Sequence, residues 1–442
     1  MTVRHKLLAC LAVPSLVVSS LVVAPATAGA DPLSLSNFEL RPNAYGTDLR
    51  DRADALPLVK ATVSDIMNDL NRKDDNPVQI HGACEPAAVA DADIPPLITR
   101  SLCFQNDDNE TTQWYPQGVT TVADMQADQE WGSGNQPVLV SWYDKNDPLS
   151  IKGVRISFMN PYTGAYRHVL LVYPKTIRAR PDYESVRVSQ DITHPDHSTS
   201  LHAGGIVWYG NYLFVADTNR GFRMFDMRRI YDLGASKNGT TEGPVKVGFQ
   251  EDTQKYHAYA YRYIMPQVGS WTRTAADGTD CSASDGSPNF SYTSLDRAGA
   301  NHLLAGEYCN ASTATNGRVA AWPIAGAFDS NGELIMNTAY RWQADAAYKI
   351  PDTPRRIQGA TRFNGRWYLS QSNQTNAGKL HITAKVTSPI GTLNVVDSQT
   401  LTIGPEDLSH WPNGTQSPSL GAMWTVAEHE GKRMVYSVTP IL

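Results

Sequence analysis

Two stretches in the second half of the chain repeat one another. Leu201-His-Ala-Gly-Gly-Ile-Val-Trp-Tyr-Gly-Asn-Tyr-Leu-Phe-Val-Ala-Asp217 leads into Gly221-Phe-Arg-Met-Phe-Asp226. Ile357-Gln-Gly-Ala-Thr-Arg-Phe-Asn-Gly-Arg-Trp-Tyr-Leu-Ser-Gln-Ser372 leads into Gly378-Lys-Leu-His-Ile382. Each reads as a strand, a tight Gly-Asn or Asn-Gly turn, a second strand, a short loop and a third strand. A sheet unit of this kind cannot bury both faces alone, so its recurrence predicts neighbouring copies stacked together.

The same grammar extends from Gln113 onward as short strands broken by Gly, Asn, Asp and Pro. A first unit comprises Gln117–Val122, Pro137–Tyr143, Gly153–Phe158 and His168–Tyr173. A second runs from Leu201 through Asp226 and is predicted to close near Val245–Phe249, with Tyr256–Met265 as an extra strand or insertion. The third comprises Phe290–Ser294, His302–Tyr308, Arg318–Ile324 and Leu334–Trp342. The fourth is Ile357–Ile382 plus Leu393–Ile403. The fifth has only Leu420–Val426 and Arg433–Val438, so segments between Gln79 and Tyr115 are expected to complete it.

A period of about 50–60 residues, with a Gly before the first strand and an aromatic-flanked turn, resembles β-propeller repeats. The expected fold is all-β: a propeller of five blades, or six if Tyr256–Met265 opens its own. An N-terminal helix and loop region precedes it. The boundaries are 1–30 for a signal peptide, 31–112 for the N-terminal extension and 113–442 for the propeller. Trp208, Tyr209, Tyr212, Trp367, Tyr368 and Trp424 fall in the repeats and are expected to pack blade against blade. In the extension, Leu56, Val59, Val63, Ile66, Met67 and Leu70 recur at three- and four-residue spacing, which predicts one helix over Asp51–Lys73.

Arg4 and Lys6, an apolar stretch over Leu7–Ala24 and small residues up to Ala30 make residues 1–30 a secretory signal. No later run is long enough to span a membrane. The net charge is −6 and the charges are scattered, which argues against nucleic acid as a partner. Cys10 leaves with the signal. The remaining Cys84, Cys103, Cys281 and Cys309 lack zinc-ligand spacing and are expected to form local disulfides, Cys84–Cys103 and Cys281–Cys309. The expected protein is a secreted, extracellular monomer whose partner is a glycan, a cell-wall polymer or another protein.

In a propeller, residues just before each innermost strand converge at the mouth of the central channel. Here they are Gln117, His202, Gln358 and Ser419, with Pro288 and Asn289 as poor counterparts. This ring is the expected ligand-binding site. The densest polar cluster, Asp191-Ile-Thr-His194-Pro-Asp196-His197-Ser-Thr-Ser-Leu-His202, sits in the loop entering the second unit. His194, His197 and His202 with the aspartates suit a divalent metal such as Zn, Mn or Ca. Alternatively His202, His197 or His257 acts as the base of a polysaccharide lyase, with Tyr as acid. The bland alternative is a solvated loop. Asp296, Glu307 and Glu428 are candidates for the acid pair of a glycoside hydrolase. Asp277–Asp280 with Asp285–Gly286 has oxygen ligands for calcium, although a disulfide-pinned turn accounts for it as well. Asp329–Glu333 reads as a hairpin turn. No G-x-S-x-G or H-E-x-x-H motif is present. Binding at the channel mouth is the preferred reading, with a lyase or hydrolase as the alternative.

Overall fold

A computed structural model describes residues 33–43, 47–73, 81–132, 134–145, 152–187, 201–274, 281, 286–310, 317–351, 354–412 and 422–441. His194, His197, Ser419 and the Asp277–Asp280 segment therefore lie outside the described residues, as does Asp285.

The protein is a β-propeller. Five meanders of four antiparallel strands are traced among the described residues. The first comprises Trp114–Thr121, Val138–Asp144, Val154–Met159 and Tyr166–Ile177. The second comprises Ile206–Tyr209, Tyr212–Asp217, Gly221–Asp226 and Tyr263–Arg273. The third comprises Tyr292–Asp296, His302–Gly306, Arg318–Pro323 and Ala346–Lys349. The fourth comprises Ile357–Phe363, Arg366–Asn373, Asn376–Thr383 and Val395–Ile403. The fifth comprises Ser409–Trp411, Ala422–Ala427, Met434–Val438 and Ile98–Cys103.

The first strands of the meanders touch in a closed ring. A Cβ on Gly118 would lie 2.8 Å from the Ile206 nitrogen, and one on Gly205 would lie 2.1 Å from the Thr293 nitrogen. Ser294 Oγ donates to the Ala360 carbonyl at 2.5 Å. A Cβ on Gly359 would come within 2.7 Å of Asp407 Cα. Ser409 and Thr121 hydroxyls meet at 3.3 Å and complete the circuit. Five fully buried tryptophans, Trp142, Trp208, Trp322, Trp367 and Trp424, sit one in each meander. The turn at Asn364-Gly365 has φ of 51° and 74°, the left-handed pair a two-residue hairpin needs.

Several expected strands shift. The second meander does not close near Val245–Phe249, because Val247–Gln250 pairs with Lys255–Ala258 in a separate hairpin. The closing strand is Tyr263–Arg273, whose second half pairs with Gly221–Asp226. Its first half runs parallel to Tyr166–Ile177 and joins the first two meanders into one sheet. The third meander closes with Ala346–Lys349 rather than Leu334–Trp342. The fifth takes only its outermost strand, Ile98–Cys103, from the N-terminal side. Its innermost strand is Ser409–Trp411, upstream of the expected start at Leu420.

The single helix expected over Asp51–Lys73 is broken. Helix Asp48–Asp54 is followed by strand Val59–Ala61 and helix Val63–Met67, with a capping box between Thr62 and Asp65. Pro57 lacks an N–H and pushes Leu56 out of helical geometry. Val59 consequently leaves the apolar face and is 48% exposed. The disulfides Cys84–Cys103 and Cys281–Cys309 are formed, the first tethering the closing strand Ile98–Cys103. Asp329–Glu333 is a turn, with Asp329 Oδ1 accepting from the Asn331 and Glu333 amides. Among the described residues no helix is long and apolar enough to cross a membrane.

The axial contacts predict a strong effect of one methyl group. Gly205→Ala is expected to destabilise the protein by more than about 2 kcal/mol in denaturant unfolding, because backbone must move to admit the Cβ. Gly391→Ala, whose Cβ would have nothing nearer than 4.0 Å, is expected to stay within about 1 kcal/mol of the parent.

Candidate functional site

Two β-bulges at the start of innermost strands aim the same side chain the same way. The register breaks between Pro116 and Val119, around Gln117-Gly118, and between Ile357 and Gly359, around Gln358. A bulge redirects its residue out of the strand's alternation, and the following glycine lets the neighbouring backbone approach. Gln117 Nε2 then donates to Glu428 Oε2 at 2.9 Å, and Gln358 Nε2 donates to Glu406 Oε1 at 3.0 Å. Glu406 and Glu428 hydrogen-bond to each other, so two carboxamides from separate meanders brace one acid pair.

Glu406 is fully buried. Burial, and then the charge and hydrogen bond of Glu428, push its carboxyl well above the usual range. A second carboxylate in contact with a buried one disfavours the charged form of the buried group. Glu428 is half-buried. Around it stand Tyr143, His202 and Tyr308. The His202 and Tyr143 rings lie 4.6 Å apart. Burial, then Glu428 and Glu406, raise the Tyr143 hydroxyl above its ordinary value. His202 is exposed to solvent by its surface; loss of hydration lowers its imidazole, with Glu428 opposing the shift and Lys145 adding to it. Tyr308 keeps 37% of its surface exposed at the rim. The Tyr115 ring supports Tyr143 from behind at 5.9 Å and carries the Arg433 guanidinium 4.8 Å from its centre.

Glu307 occupies in the third meander the place that Glu428 occupies in the fifth: each follows a second strand and faces the arginine that opens or precedes the third. Glu307 is locked in a buried ion pair with Arg318 at 2.9 Å. Arg433 instead donates from Nε to the Glu428 backbone carbonyl, which leaves the Glu428 carboxyl turned to Gln117 and Glu406. Asp296 is likewise paired, with Arg362 at 2.6 Å. Of the three acids singled out in the sequence, Glu428 alone reaches the recess, and its companion is Glu406. Glu406 went unnoticed because the innermost strand of the fifth meander begins at Ser409. The position before that strand is thus Glu406-Asp407, in place of Ser419.

Further down the axis the carboxyls become structural. Asp407 Oδ2 accepts from the Val119 and Ile206 amides, both at 3.3 Å, and so ties the fifth meander to the first and second. Asp124 Oδ2 accepts from Ser409 Oγ at 2.6 Å and Thr120 Oγ1 at 2.8 Å.

His257 is not part of this assembly. It lies buried in the Val247–Ala258 hairpin with partners Thr253 Oγ1 at 2.7 Å and the Glu242 carbonyl at 3.0 Å. Asn289 donates its amide to Glu307. Among the described residues no trio of His, Cys, Asp or Glu converges in a metal-binding arrangement. A hydrogen-bonded series absent from the sequence reading runs from Ser157 Oγ to His168 Nδ1 and from His168 Nε2 to Asp108, each at 3.0 Å. Ser157 is fully buried and also accepts from Trp142 Nε1, so it has no route to a substrate.

No protein-family model and no curated protein sequence matches the chain. Among solved structures it is similar to a GH43_1 enzyme from Xanthomonas citri, at 11% identity over 80% of this chain and 92% of that one, TM-score 0.32. It is similar to a β-xylosidase at 8% identity over 76% and 97%, TM-score 0.32. The β-propeller domain of Myceliophteria thermophila Cps50 matches at 8% over 78% and 100%, TM-score 0.31. At these identities and scores none of them lends its activity to this chain.

Burial raises the Asp124 carboxyl to about 6, against the hydrogen bonds from Ser409 and Thr120 that favour its charge. A folded-state value above the unfolded one means stability that is fully present below about pH 4 and lost as pH rises to about 6. Asp124→Asn is expected to remove roughly 2–3 kcal/mol of that decline, read as the difference in unfolding free energy between pH 4 and pH 7.

Proposed function

We propose that the axial recess binds a carbohydrate chain, and that the protein does so outside the cell as a five-bladed propeller. The observation that carries this reading is the Glu406–Glu428 pair, braced by Gln117 and Gln358 and faced by Tyr143, His202 and Tyr308. Carboxyl and carboxamide groups offer the paired donors and acceptors that sugar hydroxyls need. Tyr308 and the Tyr143–His202 pair offer faces for a sugar ring. Export fits the two disulfides, which persist in oxidising compartments, and the leader-like residues 1–30.

Glycoside hydrolysis is the second reading, because the upward shift of the Glu406 carboxyl favours the protonated form that a general acid requires. A hydrolase holds its two carboxyls about 5 Å or more apart, on either side of the scissile bond. Here the two hydrogen-bond to each other, closer than that separation. Binding without chemistry therefore fits the geometry better.

A glycan array probed with the purified protein, followed by calorimetry on the best ligand, tests both readings. Saturable binding without release of reducing ends is expected. Glu428→Gln is expected to weaken that binding by about tenfold, the loss of one charge-assisted hydrogen bond. Release of reducing ends that Glu406→Gln abolishes would establish the hydrolase instead. No binding to any glycan would end the carbohydrate reading.

A further inference from the structure

A second cavity, of about 310 Å³, opens beside the first meander, and none of the recess residues lines it. Five cationic side chains converge on it: Arg72, Lys152, Arg155, Arg167 and Arg262. Four of them are committed. Asp108 takes Arg72 at 3.2 Å and Arg155 at 2.8 Å. Asp69 takes Arg167 at 3.0 Å and Arg262 at 2.8 Å, and Asp232 takes Arg262 again at 2.7 Å. These pairs fasten the segment around residues 69–72 and the short helix Asn106–Asn109 to the first meander, which is reason enough for their presence.

Lys152 is what that fastening does not use. It is half-buried, and among the described residues no carboxylate lies within ion-pair distance of its ammonium. The centre of the Tyr259 ring lies 5.7 Å from that ammonium, and the Lys152 backbone amide donates to Asp144 Oδ2 at 2.6 Å. Burial lowers its pKa, with Arg155 adding to the shift and Asp144 opposing it. Arg155 is 3% exposed and sandwiched between Trp114 and Trp142 at 4.4 and 4.7 Å, and its Nε has no hydrogen-bond partner. His168 in the same lining is pushed down to about 3 by burial and the nearby Arg155, so it adds no charge of its own at neutral pH. Asp107 is exposed at the rim.

A half-buried ammonium with no carboxylate partner among the described residues, in a recess lined by four further cationic side chains, calls for an anion. The volume exceeds what a lone oxyanion fills, and Trp114, Tyr259 and Tyr261 add aromatic surface. We propose that this cavity is a second ligand site, independent of the axial recess, and that it takes an anionic sugar-sized ligand of the hexuronate class. The carboxylate meets Lys152, and the sugar ring lies against the aromatic wall.

Titration calorimetry of the purified protein with sodium D-glucuronate tests this. Saturable binding is expected, about tenfold weaker in Lys152→Gln and unchanged in Glu406→Gln. Lys152→Met, which keeps the apolar stem, is expected to match Lys152→Gln, while both variants retain the parent's melting temperature. No binding by the parent, or affinities within twofold between parent and both Lys152 variants, would overturn the site. Equal affinity for acetate would overturn the sugar-ring contact, and loss of binding in Glu406→Gln would move the ligand to the axial recess.

Discussion

Close approach of backbone at the axis is the constraint on which the rest of the molecule depends. Gly118, Gly205 and Gly359 stand where a Cβ would strike the neighbouring meander at under 3 Å. Asp407 then hydrogen-bonds amides of two other meanders from the middle of the ring. Burying this carboxyl costs free energy, and its value is raised well above the ordinary range for that reason. Its two amide contacts recover part of that cost and fix the rotation of the fifth meander against the first two. Every side chain at the mouth inherits its position from this packing.

The recess is built by departures from the repeat. Acid and arginine recur at equivalent strand ends, and in the third meander they neutralise one another as Glu307 and Arg318. In the fifth, the Arg433 guanidinium is drawn to the carbonyls of Asp108 and Thr111 on the N-terminal side, as well as to the Glu428 carbonyl. The freed Glu428 carboxyl turns to the axis. The strand that the N-terminal segment lends to the fifth meander thus accompanies the change that creates the acid pair. The lateral cavity follows a similar logic, since Asp69, Asp108 and Asp232 hold the N-terminal segment in place and leave Lys152 over.

Much of the architecture was legible along the chain. The all-β class, four of five innermost strands, the burial of Trp208, Trp367 and Trp424 and both disulfides follow from local signals: turn chemistry, alternation and cysteine spacing. Gln117, His202 and Gln358 were also marked by their place before an innermost strand. The structure puts the two glutamines on Glu428 and Glu406 and sets His202 against Tyr143. The helix over Asp51–Lys73 failed where Pro57 outweighed periodicity, and the closing strands of the second and third meanders failed because edge pairing depends on distant partners.

Sequence by itself determined the all-β class, most of the inner strands and where they turn, because those are properties of a few adjacent residues. Tertiary structure alone decided that Glu406 meets Glu428, that Glu307 and Asp296 are spent on arginines, and that Lys152 has no carboxylate partner among the described residues. Glu307 and Arg318 meet across adjacent strands of one meander, Glu406 and Glu428 flank the inner strands of another, and Asp296 and Arg362 join two meanders, so each outcome depends on how the strands lie in space. Charge pairing acts over a few ångströms of space, and no spacing along the chain encodes it.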